Sequence, residues 1–76
     1  MREFLQYIAQ HLVDNPDKVV LDQEEKDGKV TFRLQVGQPD IGKVIGRNGR
    51  TAQAMRTMLT AVAAKKGKRA VLEIVD

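Results

Sequence analysis

Two glycines three residues apart, Gly46 and Gly49, stand among side chains suited to holding an anion. The stretch reads Ile45-Gly46-Arg47-Asn48-Gly49-Arg50, with Lys43 about one turn upstream. Glycines at this spacing serve three devices: a hairpin turn, a triphosphate-wrapping loop, or a loop that lets a sugar-phosphate backbone come close. A type I′ hairpin at Asn48-Gly49 needs strands on both sides. Downstream, Arg50–Lys66 is rich in alanine, has helical period and lacks strand alternation. A P-loop needs Gly-x-x-x-x-Gly-Lys-Ser/Thr, but its first glycine would fall at Val44, and arginine stands where lysine should. The dinucleotide pattern Gly-x-Gly-x-x-Gly fails at the same valine. A loop between two helices fits. There the missing side chains admit a phosphate, and the amides and dipole at the start of the second helix favour it. Arg47 and Arg50, with Lys43, supply countercharge.

Other chemistry is poorly provided for. With no cysteine and one histidine, His11, the chain has no disulfide framework, no thiolate metal site and no zinc set. No carboxylate pair or nucleophile–base arrangement falls at a usable spacing, so the expectation is a protein that is not an enzyme and takes no cofactor or metal. Aromatics are limited to Phe4, Tyr7 and Phe32, too few for a base-stacking platform. The opening MREFLQYIAQHLVDNP is too short and too broken by charge for a signal peptide or membrane span. A cytoplasmic protein with no membrane contact is expected. The net charge is +3, unevenly spread. Residues 41–72 carry eight basic side chains and no acidic one, residues 1–40 sum to −3, and residues 73–76 to −2. Segregated positive charge is the footprint of a polyanion binder.

The elements that must position the loop read from periodicity. Residues 2–13 predict a helix with Phe4, Leu5, Ile8 and Leu12 on one face and Ala9 beside them, stopped by Asn15-Pro16. Tyr7 and His11, four apart, read as a half-exposed packing pair. Lys18–Glu25 and Lys29–Val36 predict strands joined at Asp27-Gly28. The acidic Asp22, Glu24 and Glu25 read as a solvated strand edge. Asp40 suits the N-cap of a short helix, Ile41–Ile45. A longer helix, Arg50–Lys66, presents Met55, Leu59 and Val62 to a core, with Met58 on the border and Ala54 and Ala61 facing away. Gly67 is its stop, and Arg69–Val75 predicts the last strand. The two-helix connection can bring that strand parallel to the second one by a right-handed crossover. The result is a single α+β domain over residues 1–76, with the alternating second strand central in a three-stranded mixed sheet and three helices on one face.

The stretch IGKVIGRNGRTAQAMRTML (Ile41–Leu59) resembles the KH signature Val-Ile-Gly-x-x-Gly, and the order helix-strand-strand-helix-helix-strand resembles the type II KH arrangement over the whole chain. KH domains clamp about four backbone nucleotides with a Gly-x-x-Gly loop. The chain is similar to the small bacterial single-KH RNA-binding proteins of the KhpA family. The resemblance implies a cytoplasmic RNA chaperone or post-transcriptional regulator. It also implies self-association, or pairing with a second KH protein of the KhpB (Jag) kind. On this reading the RNA-binding residues are Lys43, Gly46, Arg47, Asn48, Gly49 and Arg50, with Ile41, Val44, Ile45 and Ala52 as an apolar groove floor. The competing class is a KH-fold protein-interaction module acting mainly through dimerisation, which the intact glycines and acid-free basic segment argue against.

Overall fold

The structure is a computed structural model and describes residues 1–75. Alternation decides the sheet. Strand β2 is the central strand, Lys29–Gln35; it buries Val30, Phe32 and Leu34 on one side and exposes Lys29, Arg33 and Gln35 on the other. Strand β1, Val20–Lys26, pairs with it antiparallel across a turn in which Asp27 and Gly28 both have positive φ, 53° and 77°. That is the geometry of a type I′ hairpin. Strand β3, Arg69–Val75, pairs parallel on the other side of β2. Helices α1 (Arg2–Leu12), α2 (Ile41–Ile45) and α3 (Arg50–Lys65) contribute Leu5, Ala9, Val44, Met55 and Leu59 to the core beneath the sheet. The order and the mixed three-stranded sheet are those expected from the sequence. Phe32, Leu34 and Leu5 are among the largest fully buried side chains, and each such burial stabilises the fold by about 1.5–3 kcal/mol.

Several boundaries differ from the sequence reading, for local reasons. Val13 is extended rather than helical (φ −103°, ψ 158°), so α1 ends at Leu12. Its buried stripe is centred on Leu5 and Ala9, and Phe4 stands 37% exposed. Pro16 opens a 3₁₀ turn, Pro16–Lys18, a position that uses its fixed φ and needs no N–H. That turn delays β1 to Val20. In α3, Ala63 is buried with Met55 and Leu59, while Val62 lies only half-buried. The helix ends one residue early, at Lys65. Gly67 N–H donates to the Ala64 carbonyl (3.0 Å) and Lys68 N–H to that of Ala63 (2.9 Å), the pair of bonds of a Schellman motif. The acidic edge is also less free than expected, because Glu24 pairs with Arg33 (3.4 Å) and Glu25 with Lys68 (2.9 Å).

The Schellman turn directs the chain straight back into β3, where Arg69 N–H donates to the Gly28 carbonyl at 2.9 Å. Helix α3 therefore ends beside the β1–β2 hairpin. Its 16 residues make it about 24 Å long, so its first turn and the glycine loop stand at the opposite end of the sheet.

Candidate nucleic-acid interface

Gly46 closes α2, donating its N–H to the Gly42 carbonyl at 2.9 Å. Residues Arg47–Gly49 then make one 3₁₀ turn, in which Gly49 N–H donates to the Gly46 carbonyl (3.1 Å) and Arg50 N–H to that of Arg47. Three of the residues take positive φ: Gly46 (78°), Asn48 (57°) and Gly49 (72°). Asparagine is among the few non-glycine residues that tolerate this region. The two glycines are required for different reasons. A Cβ on Gly46 would lie 2.7 Å from Thr51 Cβ and 2.9 Å from the Thr51 amide nitrogen, and nearer still to the Thr51 hydroxyl. A Cβ on Gly49 would meet nothing within 4 Å. Gly46 lets the loop close on α3, whereas Gly49 keeps open space at the surface.

Arg47, Asn48 and Arg50 are exposed. Neither arginine is in an ion pair among the described residues. The amides of Arg47 and Asn48 start the turn and have no backbone acceptor among those residues. Two exposed arginines outside any ion pair and two amides without a backbone acceptor among the described residues thus stand at the N-terminal end of a four-turn helix, where the dipole also favours an anion.

Lys43 is placed differently. Its ammonium donates to the Asp14 carboxylate and lies 3.5 Å from Asp40 Oδ1. The hydrogen bond to Asp14 is the main reason its pKa is raised above the ordinary lysine value; both carboxylates add attraction, and desolvation opposes. Lys43 therefore reaches a phosphate only by exchanging these partners.

Asp40 precedes α2, but its side chain makes no cap bond there. The 3₁₀ turn Gln38–Asp40 turns it back toward the end of α1. There Oδ1 accepts from Asp14 N–H (3.2 Å), and Oδ2 accepts from Asn15 N–H (3.1 Å) and from Asn15 Nδ2 (3.2 Å). The carboxylate is 1% exposed. Burial pushes its pKa up, but the three hydrogen bonds and the Lys43 charge outweigh it and hold the group below the usual carboxylate range. The sequence signal for this joint is the break at Asn15-Pro16, whose preceding amides need an acceptor.

The four apolar residues of the expected floor separate by depth. Val44 and Ala52 are 0% and 3% exposed and belong to the core, while Ile41 is half-buried and Ile45 is 37% exposed. The apolar surface open to a ligand comes from Ile41 and Ile45, one turn apart on α2, with Val44 and Ala52 supporting from behind. Across α3, Arg56 Nε donates to the Leu72 carbonyl at 3.4 Å and so ties the helix to β3, one of the two edge strands. The sequence offered no reason to separate Arg56 from the solvated lysines. Tyr7 and His11 pack together with ring centroids 4.1 Å apart, and His11 Nδ1 donates to the Tyr7 carbonyl (2.8 Å). They pair as the sequence suggests, but are exposed rather than half-exposed, Tyr7 at 62%.

Among the described residues no group of three or more His, Cys, Asp or Glu could hold a metal ion, and no helix is long and apolar enough to cross a membrane. Residues 2–74 match the family model described as "KhpA/KhpB, KH domain". Proteins named RNA-binding protein KhpA are similar along the whole chain. The one from Aquifex aeolicus is 45% identical over all of this chain and 96% of its own length. That from Listeria monocytogenes is 43% identical over all of both chains. That from Chlamydia pneumoniae is 43% identical over all of this chain and 97% of its own length.

Proposed function

The chain belongs to the KhpA/KhpB KH-domain family, and from that premise we propose that it binds single-stranded RNA by clamping the backbone at Gly46–Gly49. The observation that carries this reading is the pair of exposed arginines outside any ion pair, Arg47 and Arg50, flanking a loop in which two amides have no backbone acceptor among the described residues. Phosphates sit against these amides and guanidinium groups, and bases lie toward Ile41 and Ile45 in the groove that the β3 edge bounds. Three or four neutralised phosphates give a salt slope of about −2 to −3, at roughly −0.7 each on a single strand. So short a contact binds weakly and with little sequence selectivity, as an RNA chaperone or post-transcriptional regulator in the cytoplasm requires.

The test is a double replacement, R47D/N48D. It puts two negative charges where phosphates belong, at exposed positions, and aspartate tolerates the left-handed backbone of position 48. The variant should keep its far-ultraviolet circular dichroism and lose RNA binding in a gel-shift assay. Undiminished binding by the folded variant would sink the clamp.

Two linked copies raise apparent affinity without a new type of contact, which gives pairing with a second copy, or with a KhpB-like partner, a functional reason. Ala54, Met58 and Ala61 are exposed, and the helical period sets them on the flank of α3 away from Arg56. This stripe is the surface we assign to pairing. Ala61→Glu should yield monomers by sedimentation while leaving the clamp intact, and a dimer that persists would refute the assignment.

A further inference from the structure

A depression of ≈ 370 Å³ lies far from the glycine loop, on the open face of the sheet beside the hairpin, lined by Glu24, Lys26, Asp27, Lys29, Thr31 and Arg69. Three of these are cations in one row across all three strands: Lys26 is paired in register with Lys29, and Lys29 with Arg69. All three are exposed, and none is in an ion pair among the described residues.

The row stands out against another on the same face, two rows along. There Arg33 is in register with Asp22 and Glu73, and its guanidinium reaches Glu24 at 3.4 Å and Glu73 at 3.5 Å. That arginine is answered by carboxylates within reach, whereas the Lys26 row stacks three like charges, an arrangement that costs stability across a sheet. Lysine on an edge strand is commonly explained as protection against strand addition. That explanation fails for Lys29, because β2 is central and has no free edge. The acidic members do not cancel the row: Glu24 is engaged by Arg33, and Asp27 is one charge against three.

We propose that Lys26, Lys29 and Arg69 form a second phosphate-backbone contact, which takes the RNA strand after it leaves the clamp and passes the β3 edge. The proposal rests on the RNA-binding reading above. The clamp covers about four nucleotides, and the row, on the other face of the sheet, lies at least one α3 length, about 24 Å, away. At roughly 3.4 Å per stacked nucleotide, only a strand at least about seven nucleotides longer engages both.

The test compares fluorescent oligouridylates of about 5 and about 16 nucleotides, chosen from those footprints, on the full chain at low ionic strength. In Lys29→Glu the row becomes alternating, so the variant should be at least as heat-stable as the parent. It should bind the short oligomer unchanged and the long one several-fold more weakly. The triple variant K26E/K29E/R69E should weaken long-strand binding about tenfold or more and reduce its salt slope by about 2, from roughly 0.7 for each lost phosphate. Unchanged affinity for the long strand in the folded triple variant overturns the second contact while leaving the clamp standing. A parent that binds neither oligomer overturns both readings. Loss of poly-glutamate binding with long-strand binding intact would assign the row to an acidic protein and overturn the proposal.

Discussion

At the scale of single residues, the two glycines of the loop have different physical reasons to be there. Gly46 combines φ 78° and ψ 172°, a region open essentially to glycine alone, with the close approach of Thr51. Gly49 has φ 72° and ψ 14° and open space beyond. Gly46→Ala should therefore destabilise the fold by about 1–3 kcal/mol from backbone strain, plus the displacement of Thr51. Gly49→Ala should cost about 1–2 kcal/mol and move no neighbour. Urea unfolding of both variants checks the order, and an equal loss would remove the distinction. The sequence made the Gly-x-x-Gly pattern and its arginines legible, because their types and spacing are local facts. It could not separate the glycines, since Thr51 meets Gly46 only after α3 folds against the loop. Nor could it separate Lys43 from Arg47, because Lys43's partners include Asp14, 29 positions away.

At the scale of elements, the joint between α1 and α2 positions the loop. Asp40, at the start of α2, holds the amides that follow α1, and Gly46 closes that same short helix. The folded-state pKa of Asp40 is lowered from the ordinary 3.8, so its contribution to stability is present above that value and is lost as pH falls through the lower folded value. Thermal unfolding followed downward from pH about 5 should show this acid loss, since protonation removes the charge that the joint stabilises. Asp40→Asn should flatten that part of the profile, and an unchanged acid limb would assign the loss to other carboxylates. Periodicity located all six main elements, because the buried faces of α3 and β2 repeat at 3.6 and 2 residues. The ends moved where a local exception ruled, as with the 3₁₀ turn that Pro16 starts, and the inward face of α1 keeps Leu5, Ile8, Ala9 and Leu12 but leaves Phe4 out. A helical wheel ranks Phe4 with the other apolar residues, but the core meets Leu5 and Ala9 most fully, Ile8 and Leu12 in part, and leaves Phe4 at its margin.

At the scale of the whole molecule, positive charge collects at two ends. Arg47 and Arg50 stand at the start of α3, and Lys26, Lys29 and Arg69 meet beside the hairpin at its other end. RNA binding should therefore depend on strand length, and the comparison of short and long oligouridylates reads that dependence directly. The chain by itself determined the α+β class, the element order, the Gly-x-x-Gly loop between two helices and the excess of basic residues in its second half. These follow from patterns that residues carry wherever they fold. Only the tertiary structure decided which charges are available. Sheet register brings Lys26 and Lys29 from the acidic half beside Arg69 from the basic half, and chain reversal after α1 hands Lys43 to Asp14. Charges act through distances in space, and the pairing of strands, not their order along the chain, sets those distances.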